Sequence, residues 1–153
     1  MSAVDDRVTE GLEGRTGLQD GLELHDAGPD LERVTALAEQ FRISWSKKDR
    51  ERAVQALQDL APLCDYRVRT LAGHVHVTRR TLERIFAAVT GHSPRHWLNR
   101  ERLQAARRLL LSYRSVKDVA YSLGYPAPSQ FCRDFRGEFG MTPSNFARQH
   151  TVR

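Results

Sequence analysis

Apolar residues between positions 30 and 61 recur every three or four places. Leu31, Val34, Leu37, Ala38, Phe41 and Trp45 form one stripe, and Ala53, Val54, Leu57 and Leu60 form a second that stops before Pro62. That period marks one face of a helix, so residues 30–61 predict a helical hairpin. Asp30 and Asp49 stand where a carboxylate can accept from the free N–H groups of a first turn. Lys47 and Lys48 suit the negative end of the first helix. The hairpin, through its second helix, is expected to pack on the chain that follows, because a small domain needs every apolar side chain for its core.

Beyond Pro62 the pattern states one design twice. A short helix around 66–75 is expected to bury Leu71, Ala72 and Val75. A break at His76-Val77 leads to Thr78, which caps a helix from about 79 to 89 with Leu82, Ile85 and Phe86 inward. Ser93-Pro94 then opens a long helix to about Leu111, with Leu98, Leu103, Ala105, Ala106, Leu109 and Leu110 as its apolar stripe. Ser115 caps the next short helix, through Val116, Val119, Ala120 and Leu123, which ends at Gly124. After the stiff turn Tyr125-Pro126-Ala127-Pro128, Ser129 to Glu138 reads as a helix with Phe131, Phe135 and Phe139 inward. Gly140-Met141-Thr142-Pro143 opens a last helix that seals the core with Phe146.

Superposing Ala72 on Ala120 brings Arg84 onto Arg133, Phe86 onto Phe135, Gly91 onto Gly140 and Pro94 onto Pro143, a period of 48 to 49 residues. A repeat of that length is a duplicated supersecondary unit. Each copy reads as a supporting helix, a tight turn and a second helix with a free outer face, the helix-turn-helix plan. The free faces carry Thr78, Arg79, Arg80, Glu83 and Arg84 in the first copy, and Ser129, Gln130, Arg133 and Arg136 in the second. A helix fits the DNA major groove, where Arg donates twice to guanine, Gln pairs with adenine and Glu accepts from cytosine. At ~1.5 Å per residue the about nineteen residues of the central helix span roughly 28 Å. That is close to the ~34 Å turn of B-DNA, the spacing two reading units need to enter successive grooves.

Charge supports a polyanionic partner once it is split along the chain. Residues 1–30 carry a net charge of −6 and residues 31–153 one of +11. The first 29 residues, acidic and rich in glycine, read as a disordered tail, either a solvated leader or an arm that competes with DNA for the basic face. The 153 residues suit one compact domain with an appendage, and 40% of them are apolar. No run approaches the ~20 apolar residues of a membrane span, and the acidic start lacks the plan of a secretory signal. Two distant cysteines, Cys64 and Cys132, fit a reducing cytoplasm.

Residues 60–150 resemble the DNA-binding domain of the AraC/XylS family of bacterial transcription regulators. The resemblance rests on Leu71-Ala72, Leu82-Glu83-Arg84-Ile85-Phe86, Gly91-His92-Ser93-Pro94, Arg102-Leu103 with Ala106, and Val119-Ala120. It continues through Gly124-Tyr125, Ser129 with Phe131-Cys132-Arg133-Asp134-Phe135, and Gly140 with Thr142-Pro143. It implies an all-α, homeodomain-like domain of seven helices over 62–150, with two helix-turn-helix units joined by a long central helix and an N-terminal helical hairpin ahead. It also implies that the helices at 79–89 and 129–138 enter adjacent major grooves, with Arg80, Glu83, Arg84, Ser129, Gln130 and Arg133 at positions that commonly meet DNA. Ala127-Pro128 departs from the polar pair usual before the second reading helix, which removes a cap and points that helix toward phosphate binding. About sixty residues precede the domain, so a short, sensor-less member is expected.

Other chemistry is weaker. His74, His76, His92 and His96 with Cys64 suggest a metal site only loosely, since His92 precedes the cap at Ser93 and should not share a helix face with His96. Neither cysteine stands in a catalytic motif, and no phosphate-cradling glycine loop or acid pair is present. The expectation is therefore a sequence-specific double-stranded DNA-binding transcription regulator, not an enzyme, with no cofactor or metal. Arg84 would meet a base edge, and Arg133 a base edge or a phosphate. RNA polymerase is a further partner, no membrane is involved, and a monomer suffices, with a dimer through residues 30–61 as the alternative. The rival reading is a protein interaction module that pairs with another regulator or RNA polymerase and has lost specific DNA recognition.

Overall fold

The computed structural model describes residues 31–112 and 114–150, and within them eight helices follow one another without a strand. They are α1 (Leu31–Ser46), α2 (Arg50–Leu63), α3 (Val68–His74), α4 (Arg79–Thr90), α5 (Pro94–Leu110), α6 (Val116–Ser122), α7 (Pro128–Phe139) and α8 (Pro143–His150). The all-α expectation holds. The acidic stretch at 1–29 and the Asp30 cap lie outside the described residues.

The helices α1 and α2 pack along one another as a hairpin, and α2 also rests on α4 and α5. Asp49 caps α2, its carboxylate accepting from the Arg52 N–H at 3.1 Å. Two details depart from the sequence pattern. The buried face of α1 runs Val34, Ala38, Phe41 and then Ser44, leaving Trp45 37% and Leu31 70% exposed. Steps of four, three and three residues carry the stripe to 44 rather than 45. Helix α2 does not stop before Pro62 but continues through it to Leu63. The N–H that proline lacks would have bonded Gln58, which lies on the exposed side, where water can take up its carbonyl, so the loss falls in the last turn and costs little.

Two apolar cores result. The first joins α1 to α4 with Trp97 and Leu98 from the start of α5. The second joins α6, α7 and α8 with Leu103, Ala105, Ala106 and Leu110 from the rest of α5. Phe41, Phe86, Phe131 and Phe135 are fully buried, each contributing ~1.5–3 kcal/mol against exposure. Phe135 meets Phe131, Phe139 and Phe146 edge-on at centroid distances of 5.6, 4.6 and 5.7 Å, the arrangement ring quadrupoles favour. The central helix therefore belongs half to each core. It has 17 residues, so at ~1.5 Å per residue it is nearer 26 Å long than the 28 Å expected.

The repeat is visible bond by bond. In the first unit the Val77 N–H donates to the Ala72 carbonyl at 3.1 Å, and in the second the Tyr125 N–H donates to Ala120 at 3.0 Å. Helices α3 and α6 have seven residues each, and α4 and α7 twelve each. The offset between copies is 48 residues through the first helix and 49 through the second, so the turn before α7 is one residue longer. Gly91 and Gly140 close the second helices with φ 75° and 73°. The short helices are tighter than the pattern suggests. Helix α3 begins at Val68, not 66, because Asp65 and Tyr66 take φ 51° and 55°, and α6 ends at Ser122, with Leu123 as its C-cap. A left-handed φ costs an ordinary residue roughly 1–2 kcal/mol, so two in succession make a strained joint between the hairpin and the first unit.

Candidate nucleic-acid interface

The exposed faces of α4 and α7 carry the polar side chains that the repeat singles out. Thr78 caps α4, its hydroxyl accepting from the Thr81 N–H at 3.2 Å, which positions the first turn and leaves the hydroxyl already engaged. Thr78, Arg79, Arg80, Glu83 and Arg84 are all exposed. Arg79 pairs with Glu83 at 3.0 Å, so this carboxylate is not simply waiting for a cytosine. Arg80 and Arg84 form no ion pair with a described residue and present free guanidinium groups.

Helix α7 offers Ser129, Gln130, Arg133 and Arg136, again all exposed. Its start differs as the sequence suggests. Ala127 occupies the cap with extended backbone and no side-chain hydrogen bond, and Pro128 takes the first turn. The helix is held from behind instead. Arg102 of α5 donates through Nε to the Leu123 carbonyl at 2.7 Å and lays its guanidinium over the Tyr125 ring, 3.7 Å from the centroid. Arg100 pairs with Glu138 at 3.0 Å. Burial is the main influence that lowers the Arg102 pKa, with Tyr125 and Asp134 opposing it. The Tyr125 hydroxyl faces Asp134 without closing a hydrogen bond. Burial first, and Asp134 with it, push its pKa up to about 12 against the pull of Arg102.

The sequence reading gave Arg102 no role, and its spacing carries no signal of one, since an arginine beside an apolar stripe ordinarily lays its stem there and keeps its head in water. Arg50 was missed as well. Its Nε donates to the Val89 carbonyl at 2.5 Å and ties α2 to the end of α4. His92 lies ahead of the Ser93 cap and outside α5, as the sequence places it, yet its ring comes within 5.0 Å of that of His96. The turn at Gly91 swings His92 back over the first turn of α5. Among the described residues no third His, Cys, Asp or Glu completes a metal-binding group with them.

Between the two units lies a cleft of about 510 Å³. Ser93, the cap of α5, and Arg95, His96 and Asn99 of α5 line it together with Gln130 and Asp134 of α7. Tyr66 also lines it. The cleft runs from the start of α5 to the start of α7, and its lining includes Val68 of α3 and Arg102.

Comparison with known proteins agrees with this geometry. A family model described as a helix-turn-helix domain matches residues 71–149. The transcriptional activator NphR of a Rhodococcus species is 33% identical over 136 residues, 88% of this chain and 36% of that protein. A match of that length takes in the hairpin as well as both units. The activator RhaS of Escherichia coli is 40% identical over 74 residues, 48% of this chain and 27% of its own length. The chain thus spans about a quarter to a third of these curated relatives. Among solved structures, the DNA-binding domain of AdpA in complex with a target DNA is similar with a TM-score of 0.55 at 31% identity, covering 60% of this chain and 85% of that one. An AraC-type regulator from Chromobacterium violaceum gives a TM-score of 0.55 at 27% identity, covering 63% and 94%. No described helix is long and apolar enough to cross a membrane.

Proposed function

The chain belongs to the AraC/XylS family of helix-turn-helix proteins, and from that premise we propose that it is a sequence-specific transcription regulator that reads double-stranded DNA with two heads. The observation that carries this is the pairing of α4 and α7, two exposed basic helices in one repeated frame, whose apolar faces pack on the first and the second half of the 17-residue α5. In this reading they enter adjacent major grooves. Arg84 donates to a base edge, Arg80 and Arg136 hold phosphates, and Arg133 takes a base edge or a phosphate. Gln130 and Ser129 supply polar readout at the start of α7, and Thr78 and Arg79 order the start of α4, Arg79 steering Glu83 toward or away from a cytosine. One chain carries both heads, so a monomer suffices, and RNA polymerase is the further partner of such a regulator. The thiols of Cys64 and Cys132 are free, as the cytoplasm in which we place the protein would keep them.

Site selection from a random double-stranded library, with Arg84→Ala and Arg133→Ala in parallel, tests the reading. Two enriched blocks about one turn apart (~10 bp) are expected, with one block weakened in each variant. Affinity should fall with salt at a log–log slope of about −0.9 for each phosphate neutralised. Enrichment of no site would favour an interaction module instead, with the exposed Ile43 and Trp45 of the hairpin as its contact surface.

A further inference from the structure

We propose that Tyr66 is the joint that holds the two reading units at a fixed relative placement, and so sets which spacing of half-sites the protein accepts. The inference rests on the two-headed reading above. A single helix passing between two cores is a weak coupling by itself, because bending or twisting about α5 changes the register of the heads. A second point of contact removes that freedom.

Tyr66 supplies that contact. It is half-buried and packs against both apolar cores, the one that holds α1 to α4 and the one that holds α6 to α8. Its ring lies alongside α5, where Glu101, Arg102 and Arg108 are the charges around its hydroxyl. It also lines the inter-unit cleft together with Gln130 and Asp134 of the second reading helix. The backbone goes out of its way to place it there. Tyr66 takes φ 55° directly after Asp65 at 51°, a conformation rare for a bulky side chain. Its N–H is tied to the Ala61 carbonyl at 2.9 Å. Strain of this kind persists only where surrounding packing holds it, and it gathers where position matters to function. The side chain so placed comes from the hairpin's exit, touches the shared strut and reaches the second unit. Tyr66 is thus a positioning residue that touches no DNA.

The test needs two readouts on the full chain. Without DNA, spin labels on Ala87→Cys and Gly137→Cys report the distance between α4 and α7. Both sites are exposed, nothing lies within 4 Å of a Cβ at 137, and Cys132→Ser removes the accessible thiol while Cys64 stays buried. The distance distribution should be narrow with Tyr66 or Tyr66→Phe, and at least about twofold broader with Tyr66→Ala or Tyr66→Leu in protein that still melts cooperatively. With DNA, the preferred site is lengthened or shortened by single base pairs between its blocks. The wild type should lose about tenfold or more in affinity per step, and Tyr66→Leu less than about threefold, because a loose linkage forgives geometry. An unchanged distance distribution and an unchanged spacing profile in the folded Leu variant would overturn the proposal. A wild type that selects only one block would overturn the two-headed reading instead, and the distance measurement would still decide whether Tyr66 is the joint.

Discussion

His76 and Gly124 occupy the same place in the two units. Each stands in the left-handed region, at φ 55° and 72°, and each donates its N–H to the carbonyl three residues back, Gly73 at 3.3 Å and Tyr121 at 2.9 Å. The second copy uses the residue without a Cβ, and the first tolerates an exposed histidine under strain. His76→Gly should therefore stabilise the protein by about 0.5–1 kcal/mol, the strain relieved less the entropy that glycine loses on folding. Gly124→Ala should cost about 1 kcal/mol, since the nearest atom to a new Cβ, Arg102 Nη2 at 3.5 Å, makes only ordinary contact. Urea melts of the two variants should move in opposite directions, and movement in the same direction would mean the turns are not equivalent.

Arg102 gives the second turn a support that the first lacks in this form. A hydrogen bond from a charged donor contributes roughly 1.5–3 kcal/mol and a cation over a ring about 0.5–2 kcal/mol. Half-burial and incomplete additivity pull the sum down, so Arg102→Ala is expected to destabilise by about 2–3 kcal/mol in equilibrium unfolding. Lysine can reach the Leu123 carbonyl but cannot lay a planar group on Tyr125, so Arg102→Lys should recover only part of the loss. Equal stability of the Lys variant and the wild type would show that the stacking adds nothing.

The two reading helices differ at their starts, and the difference is measurable. Thr78 bonds the Thr81 N–H, whereas Ala127 offers no side-chain acceptor. Thr78→Ala should cost ~1 kcal/mol, and Ala127→Asp should gain about 0.5–1 kcal/mol in thermal unfolding. On DNA the same Asp brings a negative charge to the groove end of α7, so tighter folding should accompany weaker binding. A variant that gains in both would remove the charge argument.

Features that depend on neighbours along the chain were legible in the sequence. The caps at Asp49, Thr78, Ser93 and Ser115 and the paired glycines at 91 and 140 are local signals, and duplication made each copy a check on the other. The exposed candidates on α4 and α7 followed because an outer face is what remains once Leu82, Phe86, Phe131 and Phe135 go inward. What escaped notice depends on the third dimension. Nothing in the spacing says that Arg102 folds back onto a backbone carbonyl, or that Tyr66 belongs to two cores at once. The preference for Ser44 over Trp45 is set by where α2 lies against α1. The left-handed turn at His76 was read only as a break, since histidine gives less warning of a positive φ than glycine does.

Tyr125 carries a prediction whose sign can be worked out. Its hydroxyl is buried without a hydrogen-bond partner, and its pKa stands at about 12 against an ordinary 10.0. Cys64, buried beside Asp65, is raised in the same way from 9.0 to about 11. In both the folded protein keeps a proton that the unfolded chain gives up, so their contribution is whole below pH about 9 and is lost as pH climbs through 9–11 for the thiol and 10–12 for the phenol. Each two-unit shift corresponds to roughly 2–3 kcal/mol when fully expressed. Stability should therefore fall steeply between pH 9 and 11, the window that chemical denaturation can follow. Cys64→Ala should flatten the early part of that fall and Tyr125→Phe the later part. At pH 8, where neither group ionises, Tyr125→Phe should be neutral or stabilising by about 1 kcal/mol, because it deletes a buried oxygen that no partner satisfies. A loss of more than about 1 kcal/mol there would mean that the hydroxyl is bonded after all, and Asp134 would be the group to mutate next.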